Sequence, residues 1–492
     1  MNWVKLINSS VLLDEFLHHT FRLYSNSKII YNPFFRMVKP TDDNLSRYFF
    51  KAPDSLFFRI FDFFILPFKI FYEILKSIIV SLIRFPEHIW FKYAPMNQVK
   101  RLFISHFTPA QIKSETDFFF GFNTFQESSA TFFLNHTRIY SFQINTLLKN
   151  RKDRKSIINT KSLSINRILM LQLKQFKTTL QLLWYAIFSP NLSNYERRLL
   201  IRGCYFQHAR ASISNQVLTE RLKTIFRNCK PIEIVITLEG HAYELGIINL
   251  CKKISPRTRI LAYQHAPLVP HQFDFFRNAS QLDSEDVILT IGKASASFIE
   301  SRLPHLDVKV IGSPKFLMPK VVEKRNSNLT VLGAPEGTMK TSLKFVKLFN
   351  ELSLQMPEID FVLRIHPDAN RKTLRAIKKL IVLSKNLRIS TKSLSDDLTE
   401  SNVVVFRSSL VGIESLSRSA LPLHYDSEEN GGLNPLTIES VFTYFTFSNA
   451  AELMVQLYGS KPLLLQSISA ENMVATYHKI MSPLSLIDEV II

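Results

Sequence analysis

Glycine and cysteine are both scarce in this 492-residue chain. Only 12 glycines occur, and ten of them lie at or after Gly240. Tight turns and close backbone approaches need glycine, so we expect the loops that build a site in the second half. The three cysteines have neither a paired framework nor metal-ligand spacing, which favours a reducing compartment. Asp14 and Glu15 interrupt the first apolar stretch, so no cleavable signal pattern is present. We therefore expect a cytoplasmic protein.

Acidic residues are in deficit, and the deficit falls almost entirely in one half. Residues 1–250 hold 33 Lys and Arg against 17 Asp and Glu, while the remaining residues hold 28 against 24. A basic half beside a nearly neutral one indicates an anionic partner, unless the charge serves solubility alone. We expect an anionic membrane surface or an acidic or lipid-linked glycan. No recognisable nucleic-acid module is present, so we expect no nucleic acid as partner.

Long uninterrupted apolar runs are also missing. The most apolar stretch is residues 55–85, and charged residues interrupt it at spacings that would form one narrow polar stripe along a helix. Pro67 would kink or divide that helix. A spanning helix is therefore not expected. The pattern fits a segment lying in a membrane interface or a helical hairpin packed on the protein. The first interpretation places the chain peripherally on the inner face of the cytoplasmic membrane.

From residue 98 onward, short β-rich runs alternate with helical patterns. This alternation is typical of doubly wound α/β architecture. We predict an α/β fold with two Rossmann-like domains facing across a cleft, preceded by an α-helical N-terminal region. The predicted units are a helical, amphipathic region (1–96), two Rossmann-like domains (97–315 and 316–470) and a helical tail (471–492). The predicted buried strands are 99–106, 232–238, 259–265, 286–292, 308–312, 329–334, 360–366 and 402–408.

Two polar motifs follow consecutive predicted strands in the first α/β half. Glu239-Gly240 comes directly after one strand, and Glu244 lies five positions further on. A carboxylate there can act as a general base, although either glutamate can instead cap the next helix. His265 ends the next strand and can bind a phosphate or an acceptor hydroxyl, or serve as a hydrogen-bonded structural histidine.

Two further motifs follow strands in the second half. Arg364, His366 and Pro367 end one strand, and the proline helps to fix the turn. Ser408-Ser409 precedes a helical pattern that contains Glu414. Hydroxyls and free amides at a helix start can hold an anion, and Glu414 can meet a ribose, although ordinary N-capping gives the same sequence.

The order of these four motifs resembles that of GT-B glycosyltransferases of bacterial capsule and lipopolysaccharide synthesis. The likeness is to polysialyltransferases, capsule Kdo transferases and glycerol-phosphate polymerases, and it covers roughly residues 230–430. In the polysialyltransferase-like pattern an acidic-Gly element supplies the base, and His-Pro and Ser-Ser elements hold the CMP part of the donor. This sequence has Leu-Glu-Gly where the family often has two acidic residues, so the base stays open between Glu239 and Glu244.

The resemblance implies direct displacement at the anomeric carbon of a nucleotide-sugar, with CMP favoured. The acceptor would be a surface-polysaccharide or lipid-linked glycan, bound by the acceptor domain (97–315), and residues 316–470 would form the nucleotide-sugar donor domain. Lys315 and Arg364 would add positive charge beside the leaving phosphate. No Asp-x-Asp motif follows a suitable strand, so we expect neither a metal nor another cofactor.

Two alternatives stay open from the sequence. A sugar-nucleotide 2-epimerase shares the double α/β architecture and also places a carboxylate and histidines in the cleft. A non-catalytic, membrane-associated scaffold would account for the basic half and for the amphipathic stretch.

Overall fold

The computed structural model describes a defined set of residues. These are residues 99–106, 120–121, 129–134, 157–158, 164–192, 197, 200–201, 203–204, 210–269, 275–276, 279–321, 329–367, 369–382, 384–407, 409–426, 434–438, 445–459 and 469–485, together with 68, 71, 72 and 75. The predicted N-terminal region 1–96, apart from those four positions, lies outside this part of the chain.

The first sheet contains seven parallel strands in the order β3-β2-β1-β4-β5-β6-β7. The described helices of this half cover its faces. The strands are β1 (Arg101–His106), β2 (Ser129–Leu134), β3 (Ile157–Ile158), β4 (Glu233–Thr237), β5 (Arg259–Gln264), β6 (Val287–Thr290) and β7 (Asp307–Val310). The helices are α1 (Ile165–Phe188), α2 (Arg210–Cys229), α3 (Ala242–Ile254) and α4 (Lys293–Glu300).

The second sheet contains six parallel strands in the order β10-β9-β8-β11-β12-β13. Its strands are β8 (Thr330–Ala334), β9 (Asp360–Leu363), β10 (Leu387–Ile389), β11 (Val403–Phe406), β12 (Leu421–Tyr425) and β13 (Thr446–Phe447). Its helices are α5 (Met339–Gln355), α6 (Arg371–Leu380), α7 (Leu394–Glu400), α8 (Val411–Leu416) and α9 (Ala450–Gly459), and α10 (Ala470–Ile480) follows them. The prediction of two α/β domains with parallel sheets is confirmed.

Alternation within the strands determines which side chains enter each core layer. Ile234 and Ile236 of β4 pack with α2 and α3, whereas Val235 points to the opposite layer. Successive side chains of a strand face opposite sides of the sheet, and both sides are covered here, so the three central positions of β4 are all apolar. This explains why these strands appear in the sequence as nearly continuous hydrophobic runs.

The segment after α10 runs against the first sheet. The backbone N–H of Ser482 donates to Ile291 O at 2.8 Å, and Ser313 N–H donates to Ser482 O at 3.0 Å. Gly312 has φ +90°, and a Cβ at this position would collide with the carbonyl of Pro483. Glycine is therefore required where the C-terminal segment crosses the end of β7.

The charged, weakly patterned stretch 315–328 separates the two α/β halves in the sequence. Residues 322–328 lie outside the described part, but the beginning of the segment is packed. Phe316 and Leu317 contact the core, and Leu317 N–H donates to the Tyr477 hydroxyl at 2.7 Å. Burial raises the pKa of Tyr477 to about 12, so this phenol stays neutral and holds α10 against the start of the second half.

Candidate active site

Each sheet has one place where the strand order reverses direction. In the first sheet it lies between β1 and β4, and in the second it lies between β8 and β11. Loops that leave the carboxyl ends of two such strands diverge and open a crevice, where ligands of parallel sheets bind. Glu239 follows β4, and Ser409 follows β11. The predicted motifs therefore lie at both crevices.

Glu244 organises the turn that carries Glu239. Its side chain is fully buried and accepts hydrogen bonds from the backbone N–H groups of Gly240 at 2.8 Å and His241 at 2.7 Å. The N–H of Glu239 and the hydroxyl of Tyr243 also donate to this carboxylate. Gly240 has φ +92°, which glycine adopts without strain. These contacts are those of a capping residue at the start of α3, and they leave Glu239 as the better-placed base.

The Glu239 carboxylate lies between two imidazoles. Its Oε2 is 2.9 Å from His241 Nε2, and its Oε1 is 3.0 Å from His265 Nε2. The Glu239 side chain is 26% exposed and that of His265 only 9%. Each carboxylate oxygen thus has one imidazole partner, and the carboxylate still reaches solvent. His241 directly follows Glu239-Gly240 in the sequence and was not predicted to be a site residue. The signal was its spacing, because a glycine between two polar residues allows both to face one turn.

The protonation of His265 depends on competing effects. Burial lowers the pKa of His265, the nearby Glu239 carboxylate opposes that shift, and Lys315 adds to it. The net direction is downward, so His265 is predominantly neutral at neutral pH. A neutral imidazole that donates its Nε2 proton to Glu239 keeps the carboxylate ionised and oriented.

Lys315 connects the two halves of the site electrostatically. Burial lowers the pKa of Lys315, and the charges of Glu239 and Glu414 oppose that shift. Burial raises the pKa of Glu414, against the opposing charges of Lys315 and Arg364. Charges of alternating sign therefore run from the edge of the first sheet to the edge of the second. Lys315 lies on the segment between the two sheets, so its charge can act on groups of both domains.

Arg364 is held mainly by its own domain. Its Nη1 donates to Asp397 Oδ2 at 2.6 Å and to the Lys392 carbonyl at 2.8 Å. The Asp397 side chain is only 2% exposed and also accepts from the Ser390 hydroxyl. β9 ends at Leu363, three residues before the predicted end of this strand. Arg364 and His366 therefore belong to the loop that follows it.

Three loops of the second sheet meet near the start of α5. A Cβ on Gly337 would lie 3.0 Å from His366 Nδ1, so the imidazole rests against the loop between β8 and α5. Arg407 is buried, donates to the Thr341 hydroxyl at 3.1 Å and lies 3.7 Å from a Glu336 carboxylate oxygen. Arg407 directly precedes Ser408-Ser409 in the sequence and was not predicted to be a site residue.

Three further residues were predicted to bind the sugar donor, and the structure describes two of them. Ser409 Oγ accepts from the N–H of Val411 at 3.3 Å, although the N-cap of α8 is Leu410. Pro367 is exposed beside His366. Ser408 lies outside the described residues. Among the residues that the structure describes, no group of three or more His, Cys, Asp or Glu is arranged to hold a metal ion.

His424, on β12 beneath Arg407, makes the stability of this domain dependent on pH. Burial, together with the charge of Arg407, lowers the pKa of His424 from 6.5 to about 4. The unfolded chain binds this proton more readily than the folded one, so the contribution is complete above pH 6.5 and is lost as pH falls towards 4. The difference between the pKa of His424 in the unfolded and folded states corresponds to about 3 kcal/mol of unfolding free energy.

We expect the unfolding free energy to fall by about 3 kcal/mol from this group between pH 6.5 and 4, where His424 titrates. The His424→Leu variant should lose that part of the pH dependence. Urea denaturation of both proteins at several pH values across this window measures it. Parallel stability profiles for the two proteins would show that His424 is not the responsible group.

Several proteins of solved structure are similar to this chain at low sequence identity. The chain is similar to a UDP-GlcNAc 2-epimerase from Neisseria meningitidis bound to UDP-GlcNAc, with a TM-score of 0.41, 13% identity, and coverage of 78% of this chain and 98% of that one. It is also similar to the glycosyltransferase SnogD from Streptomyces nogalater, with a TM-score of 0.41, 10% identity, and coverage of 78% and 96%. At these identities the likeness concerns the fold alone. No protein-family model and no curated protein matches the sequence.

Proposed function

We propose that this protein is a metal-independent glycosyltransferase that moves a sugar from a nucleotide-activated donor, with CMP favoured, to a glycan acceptor. The observation that carries the proposal is the position of Glu239. Its carboxylate stands at the crevice of the first sheet, held by two imidazoles at 2.9 and 3.0 Å, and is linked through Lys315 to the second sheet. The acceptor proposed is a surface-polysaccharide or lipid-linked glycan of a bacterial cell, in capsule or lipopolysaccharide synthesis.

In this reaction Glu239 acts as the general base. The acceptor hydroxyl gives its proton to the carboxylate, and its oxygen forms a bond to the anomeric carbon. The bond between that carbon and the phosphate oxygen breaks, and the nucleotide leaves with the electron pair. His241 and His265 keep the carboxylate oriented towards the acceptor, and correct positioning of a base contributes much of its effect.

The donor phosphate is assigned to the loops that meet near the start of α5. His366 lies against Gly337, and Thr338 caps this helix of 17 residues. Amide groups and the positive end of the helix dipole stabilise an anion there. Ser409 follows β11, with Ser408 before it in the sequence, and Glu414 is assigned to a ribose hydroxyl. The preference for CMP follows from the likeness of the His-Pro and Ser-Ser elements to those of polysialyltransferases.

Nucleotide binding by the purified protein is the first test. A ligand bound only by the folded state raises the melting temperature by mass action. In a thermal-shift series with CMP, CDP, UDP and GDP at equal concentrations, we expect CMP to give the largest increase. An increase with UDP or GDP alone would contradict the CMP assignment, and no increase with any nucleotide would contradict the proposed function.

A sugar-nucleotide 2-epimerase is the second candidate. The observation that favours it is the same carboxylate between two imidazoles, since epimerisation also needs acid and base groups in the cleft. The two proposals differ in their need for an acceptor. An epimerase converts its sugar-nucleotide alone, whereas the transferase proposed here transfers a sugar only when an acceptor hydroxyl is present.

A further inference from the structure

Helix α1 (Ile165–Phe188) has its apolar side chains on the outside. Leu173 and Trp184 are each 68% exposed and Phe188 is 60% exposed, and Leu169, Phe176 and Leu180 lie on the same side. Residues spaced three and four apart lie on one face of a helix. These six side chains form a continuous stripe, here called the α1 stripe, along nearly the whole 24-residue helix.

The buried face of α1 is mixed, whereas the aromatic side chains Phe176, Trp184 and Phe188 lie on the outside. The buried residues are Ile168, Leu171, Gln172, Gln175, Thr178, Thr179, Leu182 and Ala186. A helix that served only to fill a core would place its largest apolar side chains inside and its amides outside. The distribution indicates that the outer face of α1 meets an apolar medium. An exposed stripe of this length marks an interaction surface.

The charged residues of α1 are all positive, and one of them, Arg167, forms an ion pair with Glu220 of α2 at 2.8 Å. Arg167, Lys174 and Lys177 are the charged residues of the helix, which contains no Asp or Glu. The half of the chain that carries it has 33 basic against 17 acidic residues. Two copies pairing through this face would bring Lys174 and Lys177 close to their own equivalents, which is unfavourable. An anionic lipid surface offers both an apolar layer and the opposite charge.

The aromatic and positional details fit the same partner. Trp184 and Phe188 pack together with ring centroids 4.2 Å apart at the C-terminal end of the helix, and tryptophan favours the level of the lipid headgroups. Phe68, Phe71, Tyr72 and Leu75 are also helical and exposed, within the stretch predicted to be amphipathic. In the described part of the chain no helix is long and apolar enough to cross a membrane.

We propose that α1 lies in the plane of an anionic membrane, with the α1 stripe inserted at the headgroup level and Lys174 and Lys177 contacting lipid phosphates. This concerns the location of the protein and rests on the proposed function only in that a lipid-linked acceptor would be presented there. The observations that carry it are independent of Glu239 and of the donor loops.

The test is flotation of the full chain with vesicles. Wild type should float with vesicles of phosphatidylglycerol and phosphatidylethanolamine, and bind phosphatidylcholine vesicles at least tenfold more weakly. The triple variant Leu173→Gln, Leu180→Gln, Trp184→Gln should lose at least tenfold in partitioning. A matched control, Leu354→Gln, Val382→Gln, Val455→Gln, changes equally exposed apolar residues of the second half and should float as wild type does.

A charge variant and a spectroscopic signal complete the test. Lys174→Gln with Lys177→Gln should weaken binding to the anionic vesicles, whereas Lys378→Gln with Lys379→Gln on α6 should not. The blue shift of tryptophan fluorescence on vesicle addition should be reduced in Trp184→Phe. Unchanged flotation of the triple variant would overturn the proposal. The proposal would also be overturned if the wild type were a dimer and the triple variant a monomer, or if the triple variant had a lower melting temperature. Either result would show that protein, and not lipid, covers the α1 stripe.

The test of membrane binding can fail or succeed independently of the test of the proposed function. Glu239→Gln should float like wild type, and the triple variant should retain nucleotide binding. Failure of nucleotide binding would leave the flotation result intact, and failure of flotation would leave the nucleotide result intact.

Discussion

Glu239→Gln is expected to reduce the rate of sugar transfer by roughly 10²–10⁴-fold, the range that a positioned general base contributes. Glutamine keeps the shape of the side chain and one oxygen for its neighbours, but it cannot accept the acceptor's proton. The bonds between Glu244 and the turn do not involve the Glu239 side chain, so the fold should be unaffected. Steady-state rates with saturating donor and acceptor measure the loss, and thermal shift with CMP should match wild type.

Glu300→Gln is the matched control for this prediction. Glu300 ends α4 and is exposed, so the same change of charge occurs far from the crevices and should leave the rate within twofold. A Glu239→Gln enzyme with at least half the wild-type rate would show that Glu239 is not the base. Loss of nucleotide binding together with activity would instead assign Glu239 to the donor.

His366→Ala is expected to weaken nucleotide binding by roughly 10–100-fold. A hydrogen bond to a charged group contributes about 1.5–3 kcal/mol, which corresponds to factors of this size. The imidazole lies against Gly337 at the start of α5, so its removal deletes a donor without opening the core. Titration calorimetry with CMP measures the dissociation constant directly.

The control for His366 is His305→Ala, a histidine exposed in the loop before β7. Its substitution should leave the dissociation constant unchanged. If His366→Ala and His305→Ala bound CMP equally well, the donor site would have to be moved away from the loops around α5. If His366→Ala retained nucleotide binding but lost activity, the imidazole would act on the reacting centre instead.

The buried strands could be predicted because both faces of each sheet are covered. β4, β5, β8 and β11 consist almost entirely of apolar residues, and such runs are recognisable without any alignment. β12 could not be recognised in this way, because Pro422 interrupts it. Backbone N–H groups two residues apart in a strand point to the same side, and the N–H of His424 donates towards β13. Pro422 would face that same side, but β13 pairs only with His424 and Tyr425. The missing N–H of Pro422 therefore costs no hydrogen bond between the strands. β3 and β13 have two residues each, too few for any pattern.

The polar residues at strand ends could be predicted from the sequence, but the different role of each residue could not. Glu239 and Glu244 are equivalent in the sequence as carboxylates near a glycine. Only the fold shows that Glu244 accepts the N–H groups of the turn while Glu239 contacts His241 and His265. The role of Lys315 was also hidden, because its charge partners Glu239 and Glu414 are distant in sequence and meet only when the two sheets face each other.

The most direct test of the central claim is a turnover assay with a nucleotide-sugar, in the presence and absence of a glycan acceptor. The account predicts that a radiolabelled sugar from the CMP-linked donor appears on the acceptor, that the donor is not converted without the acceptor, and that Glu239→Gln slows the transfer by roughly 10²–10⁴-fold. Conversion of a UDP-linked sugar to its 2-epimer, without any acceptor and with the same dependence on Glu239, would contradict the transferase and identify an epimerase instead.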